Sequence, residues 1–185
     1  NPSTQGLFIG LDLGVAKLVG GAPTNPGRFS ADYDISVNGQ EMGMPAAVTL
    51  TGDDAYTNSY SVSSVQAFAA AAATGNIDPS ILQNSGADYV TPETMVQFEL
   101  GYRGKFLFDD HSVSSLIIDA NVYNNDFENF INTLTVVTPL YGQVADGSAV
   151  AAIGNNDFDA WSVYTNADAE VASWGATIGM EAQVG

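Results

Sequence analysis

The sequence contains no cysteine, and it has only four lysine and arginine residues against 21 aspartate and glutamate residues. Without cysteine there is no disulfide framework and no thiolate metal site, so redox chemistry does not indicate the compartment. The net charge of −17 argues against nucleic acid as a partner, because nothing in the chain would neutralise a row of phosphates. The acidic excess either attracts cations or keeps long polar loops solvated, and we favour the second interpretation.

Long apolar runs are also missing. No segment approaches the roughly 18 apolar residues of a membrane-spanning helix, and residues 1–4 lack the basic and apolar regions of a secretory signal. The hydrophobic content is nevertheless 45%, which argues against disorder, and 185 residues are enough for one domain with a core. We therefore expect either a mature chain or a piece of something larger.

The most informative pattern is a strict two-residue alternation in residues 96–108 and again in residues 116–122. Successive side chains of a strand point to opposite faces, so each run has one apolar and one polar face. The short polar link Asp109-Asp110-His111 joins the two runs as a hairpin. The first run is much longer than a usual soluble strand of about 5–6 residues, whereas a transmembrane β-strand needs about 9–11.

The regions outside the alternating runs are predicted to be mostly loop. Glycine, proline, asparagine and aspartate recur in residues 1–60, where we expect one or two short strands or a helical turn. Residues 61–74 include a run of consecutive alanines and are predicted to form one clear helix that ends at Gly75. A second loop covers residues 139–159, and residues 164–169 are predicted to form no more than a strand edge.

A third alternating run, residues 171–184, completes the set of strong strands. A tight turn joins the first two strands, whereas several dozen residues separate the second from the third. Short turns on one side and long loops on the other are typical of bacterial outer-membrane barrels, which places the polar link on the periplasmic side. The chain is therefore predicted to be all-β: an antiparallel transmembrane β-barrel segment with long extracellular loops and one short loop helix.

These elements predict a division of the chain into four parts. They are an extracellular loop region in residues 1–91 with its helix near 61–74, a transmembrane β-hairpin in 92–131, an extracellular loop in 132–168 and a transmembrane strand in 169–185. Three strong strands and two weaker ones are too few for a membrane barrel, which needs about eight, and open sheet edges are not tolerated in hydrocarbon. We therefore expect an internal stretch of a much larger barrel.

Several stretches also resemble a known family. Residues 91–104 (TPETMVQFELGYRG) resemble the "P-E-x-x-x-x-(F/Y)-E-x-G-Y-(R/K)" strand of TonB-dependent outer-membrane receptors, and residues 116–131 (LIIDANVYNNDFENFI) are similar to the strand that follows it. Residues 1–5, together with residues 8–11 and 18–20, are similar to the extracellular loop in Bacteroidota members, and residues 168–180 resemble a later strand.

This resemblance implies a late part of the barrel of a Bacteroidota-type receptor in the outer membrane of a Gram-negative bacterium. The partners that it implies are the remainder of the barrel, a plug domain, TonB, outer-membrane lipid and in some members a surface lipoprotein lid. The TonB box, the plug and the C-terminal aromatic strand of the family are not recognised in this sequence. We therefore do not expect this chain to transport anything by itself.

The two faces of the strands provide the candidate functional residues. Polar side chains of a barrel wall point into the lumen and pair with one another or with the plug; the candidates are Gln97, Glu99, Arg103, Lys105, Asp119, Asn121, Glu181 and Gln183. The candidates for facing lipid or forming an interfacial aromatic girdle are Phe98, Tyr102, Phe106, Phe108, Ile118, Trp174, Ile178 and Met180. The alternative for the second set is a buried soluble core.

Other residue types invite catalytic, metal or ligand interpretations. Carboxylates such as Glu99 gain no catalytic role, because nothing predicts a pocket or a perturbed pKa. Asp53-Asp54 and the oxygen-rich residues 155–159 lack EF-hand spacing, so we interpret them as solvated loop tips, and His111 lacks partners for a triad or a metal site. The loop aromatics either stack on a ligand such as a sugar or pack among the loops; they are Tyr56, Tyr60, Tyr89, Phe68 and Trp161.

The expected function is part of a TonB-dependent receptor that imports a nutrient across the outer membrane. One alternative is a barrel subunit that serves as a scaffold in a larger envelope complex. Another is a secreted all-β sandwich that binds carbohydrate or calcium, with its apolar face buried against a second sheet. An enzyme is not expected, because no motif for a nucleophile, a base, a metal or a cofactor is recognised.

Overall fold

The computed structural model describes residues 7–14, 16–109, 112–167 and 171–184. The chain divides into two compact units. We call them the core unit, Asn1–Pro92 with Ile131–Ala167, and the strand unit, Glu93–Phe130 with Asp168–Gly185. Each unit therefore combines segments that are distant in the sequence.

Strands dominate the described residues. In chain order, the strands and α-helices are β1 (Gly10–Asp12), β2 (Lys17–Val19), β3 (Ser30–Asp34), α1 (Val37–Glu41), β4 (Ala47–Thr51), α2 (Gly52–Thr57), β5 (Tyr60–Ser61), α3 (Val62–Ala73), β6 (Thr94–Leu107), β7 (Val113–Glu128), β8 (Ile131–Pro139), α4 (Val150–Gly154), β9 (Phe158–Asn166) and β10 (Val171–Val184). In this part of the chain no helix has the length and hydropathy needed to cross a membrane.

The core unit is built on a mixed sheet with the strand order β1-β2-β9-β8-β5. Strand β9 lies between β2, to which it runs parallel, and β8, to which it runs antiparallel. Strands β3 and β4 form a separate antiparallel pair. The long middle strands of the mixed sheet therefore come from residues between the two segments of the strand unit, and their neighbours come from residues before the first segment.

Two apolar clusters hold the core unit together. Trp161 is completely buried in the first, where the ring of Phe29 meets it edge to face at a centroid distance of 5.7 Å. Helix α3 contributes Val65 and Phe68 to the second, which also contains Val137 of β8. Burial of large apolar side chains is the main source of folding free energy, so these segments form a folded body.

The folding of the core unit corrects the prediction that most of residues 1–60 and 139–159 are loop. Strand β9 begins at Phe158, well before residue 164, and helix α4 lies within the predicted second loop. Burial alternates along β9, but its outward positions include Ala160 and Tyr164, and its inward positions include the polar Thr165. Because that alternation is weak in hydropathy, only the pairing with β2 and β8 defines the strand.

Helix α3 lies within the segment for which the alanine run predicted a helix. The Ser61 hydroxyl accepts a hydrogen bond from the Ser64 backbone N–H at 3.3 Å, which caps the first turn. One face of the helix is buried and the alanine-rich remainder is mostly exposed. Helix propensity and one buried face thus explain this element.

The strand unit is an antiparallel sheet with the order β10-β7-β6. Its strands have 14, 16 and 14 residues in that order, and Ala120 of β7 pairs with Tyr102 on one side and Ile178 on the other. Strand β7 extends to Glu128, beyond the alternating run predicted for residues 116–122. Asp110 and His111 of the predicted turn lie outside the described residues.

Candidate functional site in the strand unit

The register of the strand unit separates its side chains into two faces. Even-numbered residues of β6 pair with even-numbered residues of β7, and these pair with even-numbered residues of β10 as far as Ala182. Because side chains alternate along each strand, all even-numbered side chains share one face and all odd-numbered side chains share the other. We call these the even face and the odd face.

The even face is apolar over four consecutive cross-strand rows. These rows are Leu100–Val122–Ala176, Tyr102–Ala120–Ile178, Gly104–Ile118–Met180 and Phe106–Leu116–Ala182. Most of their large side chains are exposed, with Ile178 at 68% and Met180 at 69%, whereas Leu116 and Ile118 of the central strand are half-buried. A contiguous exposed apolar surface on a folded sheet indicates a surface that another apolar phase or molecule covers.

Aromatic residues border this apolar surface. Phe98 and Trp174 flank Asn124 in the next row, and beyond them the even face becomes polar with Asp126 and Glu128. Eight residues separate Phe98 from Phe106, about 27 Å along the strand. At a strand tilt of about 35–45° this is roughly 20 Å along a membrane normal, and Phe108 extends it toward the apolar band of about 25 Å.

The odd face is polar and carries cross-strand contacts. The Asn121 amide donates a hydrogen bond to the Glu99 carboxylate, and Arg103 Nε lies 3.8 Å from Asp119 Oδ2. The Ser115 hydroxyl donates to Gln183 Oε1 at 3.4 Å. These contacts join Asn121 to Glu99, Arg103 to Asp119 and Ser115 to Gln183, so these polar side chains are paired across neighbouring strands.

Two side-chain acceptors on the odd face have no hydrogen-bond donor in the described part of the chain. Asn121 Oδ1 and Asn125 Oδ1 are buried atoms without a hydrogen-bond partner among the described residues. A buried acceptor without a donor costs about 1–3 kcal/mol. Both lie on the central strand β7, where the surrounding side chains shield them from solvent.

A glycine and a tyrosine fit together on the same face. Gly175 of β10 pairs with Tyr123 of β7, and a Cβ atom at Gly175 would lie 2.5 Å from the Tyr123 hydroxyl oxygen. The tyrosine ring therefore lies over the bare glycine backbone. This packing orders an aromatic side chain in an otherwise polar surface.

The structure groups the predicted residues by face. All eight candidates for the lumen are odd-numbered and lie on the odd face: Gln97, Glu99, Arg103, Lys105, Asp119, Asn121, Glu181 and Gln183. Seven candidates for lipid or girdle contact lie on the even face: Phe98, Tyr102, Phe106, Ile118, Trp174, Ile178 and Met180. The eighth, Phe108, follows the last residue of β6, and its backbone N–H donates to the Ser114 carbonyl.

The predicted loop aromatics occupy the core unit, where four of the five are buried: Tyr56, Tyr60, Phe68 and Trp161. They contribute to the two apolar clusters, so packing among the loops is the interpretation that the structure supports for them. Tyr89 stacks on Tyr56 at a centroid distance of 4.7 Å and donates a hydrogen bond to Asp53. Burial and this hydrogen bond raise the pKa of Tyr89 to about 12.

The predicted oxygen-rich clusters also have structural partners. Asp157 is only 3% exposed and accepts hydrogen bonds from the Ser36 backbone N–H and hydroxyl, both at 2.8 Å. The interpretation of this residue as part of a solvated loop tip is therefore wrong. Asp54 forms a capping box with Thr51 at the start of α2. No group of three or more His, Asp or Glu side chains converges among the described residues.

Asp159 is the centre of a further contact that sequence reasoning missed. Its Oδ2 accepts from the Lys17 ammonium at 2.7 Å and from the Tyr33 hydroxyl at 2.6 Å. Burial and the hydrogen bond to Asp159 raise the pKa of Tyr33 well above its ordinary value. These residues are far apart in sequence and have no common motif, so no local pattern predicts their contact.

The strand unit has the features of a transmembrane β-barrel wall: long antiparallel strands, one exposed apolar face, one polar face and aromatic residues at the edge of the apolar surface. Residues 51–183 match the family model described as "TonB dependent receptor-like, beta-barrel". The chain therefore belongs to the TonB-dependent receptor β-barrel family. No curated protein and no solved structure gives a match.

This assignment fixes the coarse class of the protein. The chain is an all-β segment of an outer-membrane barrel of the Gram-negative type, from a family of receptors and transporters, not enzymes, that operates with a plug domain and TonB. The exposure of the apolar face also argues against the secreted sandwich, in which a second sheet would cover that face.

Proposed function

We propose that this chain is part of the wall and the extracellular portion of a receptor that imports a nutrient across the outer membrane, with energy supplied through TonB. The observation that carries the proposal is the two-faced register of the strand unit inside the region that the family model matches. The even face contacts lipid, and the odd face lines the lumen, where the remainder of the barrel and a plug domain surround the substrate path.

The distribution of polar residues along the strand unit supports an assignment of its two ends to the two sides of the outer membrane. The chain connects to the core unit at the end where Thr94 pairs with Glu128 and Val171 pairs with Phe127. The even face is polar at that same end, and outer-membrane barrels carry their long loops on the extracellular side. We therefore assign residues 1–91 and 132–168 to the extracellular side and the β6–β7 link to the periplasm.

The resemblance to Bacteroidota receptors extends this proposal to a surface lipoprotein lid as a further partner. A direct test is co-purification of the affinity-tagged receptor from outer membranes solubilised in mild detergent. A lipoprotein that is recovered in fixed stoichiometry and lost from a deletion of the core unit would support the lid. Recovery of the receptor without such a protein from membranes that contain it would contradict the lid.

Nutrient import is tested by comparing cells with and without the full-length receptor gene. Mass spectrometry of the culture medium measures which solutes the parent strain depletes and the deletion strain leaves behind. The proposal predicts at least one such solute, with depletion restored by the gene and abolished by a proton uncoupler. Equal depletion of all solutes by both strains under the conditions that induce the gene would contradict import and favour a scaffold role.

A further inference from the structure

A cavity of about 320 Å³ lies within the core unit, at the edge of the second apolar cluster, to which Tyr60 belongs. Residues from two distant segments line it, Tyr60 to Asn84 on one side and Val144 to Val150 on the other. Its volume lies near the lower limit of about 300 Å³ for small-molecule sites in proteins. A cavity of this size suits a ligand built on a single ring.

The walls of this cavity are mainly apolar, with Leu82, Val144 and Val150 among the lining side chains. Tyr60 provides a polar group in this lining. Tyr60 is only 3% exposed and lines the cavity, and the influences that raise its pKa are burial and the charge of Asp146. A tyrosine hydroxyl at an apolar wall is a hydrogen-bonding group that a ligand in the cavity can use.

The segment that follows Val144 places a negative charge near this hydroxyl. Asp146 raises the pKa of Tyr60, in addition to the larger effect of burial. The Ser148 hydroxyl and backbone N–H lower the pKa of Asp146, so its carboxylate is ionised at neutral pH. An ionised carboxylate beside the cavity disfavours anionic ligands, and the neutral tyrosine hydroxyl is free to donate a hydrogen bond.

We propose that this cavity binds an uncharged small ring that bears one hydroxyl or carbonyl oxygen, with the ring against Leu82, Val144 and Val150 and the oxygen accepting a hydrogen bond from the Tyr60 hydroxyl. The site does not depend on nutrient import, because every residue in it belongs to the core unit. It would remain if the receptor transported an unrelated substrate.

The test uses the full-length receptor in detergent and ligand-observed fluorine NMR with three probes. 4-Fluorophenol carries the ring and the oxygen, fluorobenzene carries only the ring, and 4-fluorobenzoate carries a negative charge. The proposal predicts saturable binding that is tightest for 4-fluorophenol and weakest for 4-fluorobenzoate. No saturable binding of 4-fluorophenol, or tighter binding of 4-fluorobenzoate, would overturn it.

Two variants and one control assign any binding to this cavity. Tyr60→Phe removes only the hydroxyl and should weaken the binding of 4-fluorophenol about five- to tenfold, while the affinity for fluorobenzene stays unchanged. Ala145→Leu places a larger, branched side chain at a lining position and should abolish binding of both probes. Tyr141→Phe removes a hydroxyl that bonds Asn155 outside the cavity and should change neither affinity. A 4-fluorophenol affinity within twofold of wild type in Tyr60→Phe would contradict the assignment.

Discussion

The ammonium of Lys17 lies 2.7 Å from the carboxylate of Asp159, 142 residues later in the chain. The same carboxylate oxygen accepts from Tyr33, and the Lys17 ammonium lies 4.9 Å from the centroid of the Tyr33 ring. Both charged side chains are mostly buried, with 15% and 26% exposure. This contact joins β2, β3 and β9, so it couples the two segments of the core unit, which lie before and after the β6–β7 pair in the sequence.

Replacing Lys17 by methionine should destabilise the core unit, because Asp159 then keeps its charge without its cation. We expect a loss of about 2 kcal/mol, below the roughly 3–5 kcal/mol of a fully buried pair. Hydrogen–deuterium exchange of core-unit peptides from the full-length receptor, followed as a function of urea, measures it. The double variant Lys17→Met/Asp159→Asn should recover part of the loss. Equal stability of the wild type and Lys17→Met would show that the pair contributes nothing.

Gly39 in α1 leaves room for Asp157. A Cβ atom at residue 39 would lie 2.6 Å from Asp157 Oδ2 and 2.6 Å from Ile35 Cγ2. Gly39→Ala should therefore lower the unfolding free energy of the core unit by about 1–3 kcal/mol. Gly154→Ala in α4 is the matched control, because its Cβ meets open space. It should leave stability unchanged or raise it by up to about 1 kcal/mol. Equal effects of the two substitutions would contradict the packing described for α1.

Alkaline pH should destabilise the core unit through Tyr89. Its pKa is raised from 10.0 to about 12 in the folded chain. The stabilisation is therefore fully present below pH 10 and decreases as the pH rises toward 12, because the unfolded chain loses the proton first. Urea midpoints measured between pH 9 and pH 12 should fall, and Tyr89→Phe should reduce this fall. A pH dependence identical in the two proteins would exclude Tyr89 as a contributor.

A charge on the even face should disturb membrane insertion far more than a charge on the odd face. Ile178→Arg places a guanidinium on the apolar surface and should cost about 2–4 kcal/mol near the bilayer midplane. Thr177→Arg, one residue away, places the same group on the polar face and should cost much less. Folding titrations of the full-length receptor into lipid vesicles measure both. Equal costs at the two positions would argue against the assignment of faces.

The sequence predicts the strand unit well because alternation is a local signal. The runs around Phe98, Ile118 and Ile178 each show the two-residue period of a strand with one apolar face. The period alone therefore predicts which side chains share a face of the sheet. The alternation itself ends at residue 122 because the even positions turn polar at Asn124 and Asp126, and it was the family resemblance over residues 116–131 that extended the predicted hairpin past them. Full pairing with β6 and β10 keeps those residues in the strand.

The core unit was not predictable in the same way. Helix α1 contains Asn38 and Gly39, both poor helix formers, and it depends on the Ser36 cap and on contact with Asp157. Strand β9 depends on its neighbours β2 and β8, which lie on either side of the β6–β7 pair in the sequence. Contacts between residues so far apart in the sequence produce no periodic pattern. The sequence therefore predicted this folded unit only as a large structured loop.

Spin-label accessibility along β10 tests the central claim most directly, namely that the even face contacts lipid and the odd face does not. The chain has no native cysteine, so single substitutions such as Thr177→Cys and Ile178→Cys carry a label without background from it. In vesicles, the label at residue 178 should be accessible to oxygen and protected from a water-soluble nickel chelate. The label at residue 177 should show the opposite preference, with the same alternation from residue 174 to 182. Equal accessibility at neighbouring positions, or the inverse alternation, would contradict the account.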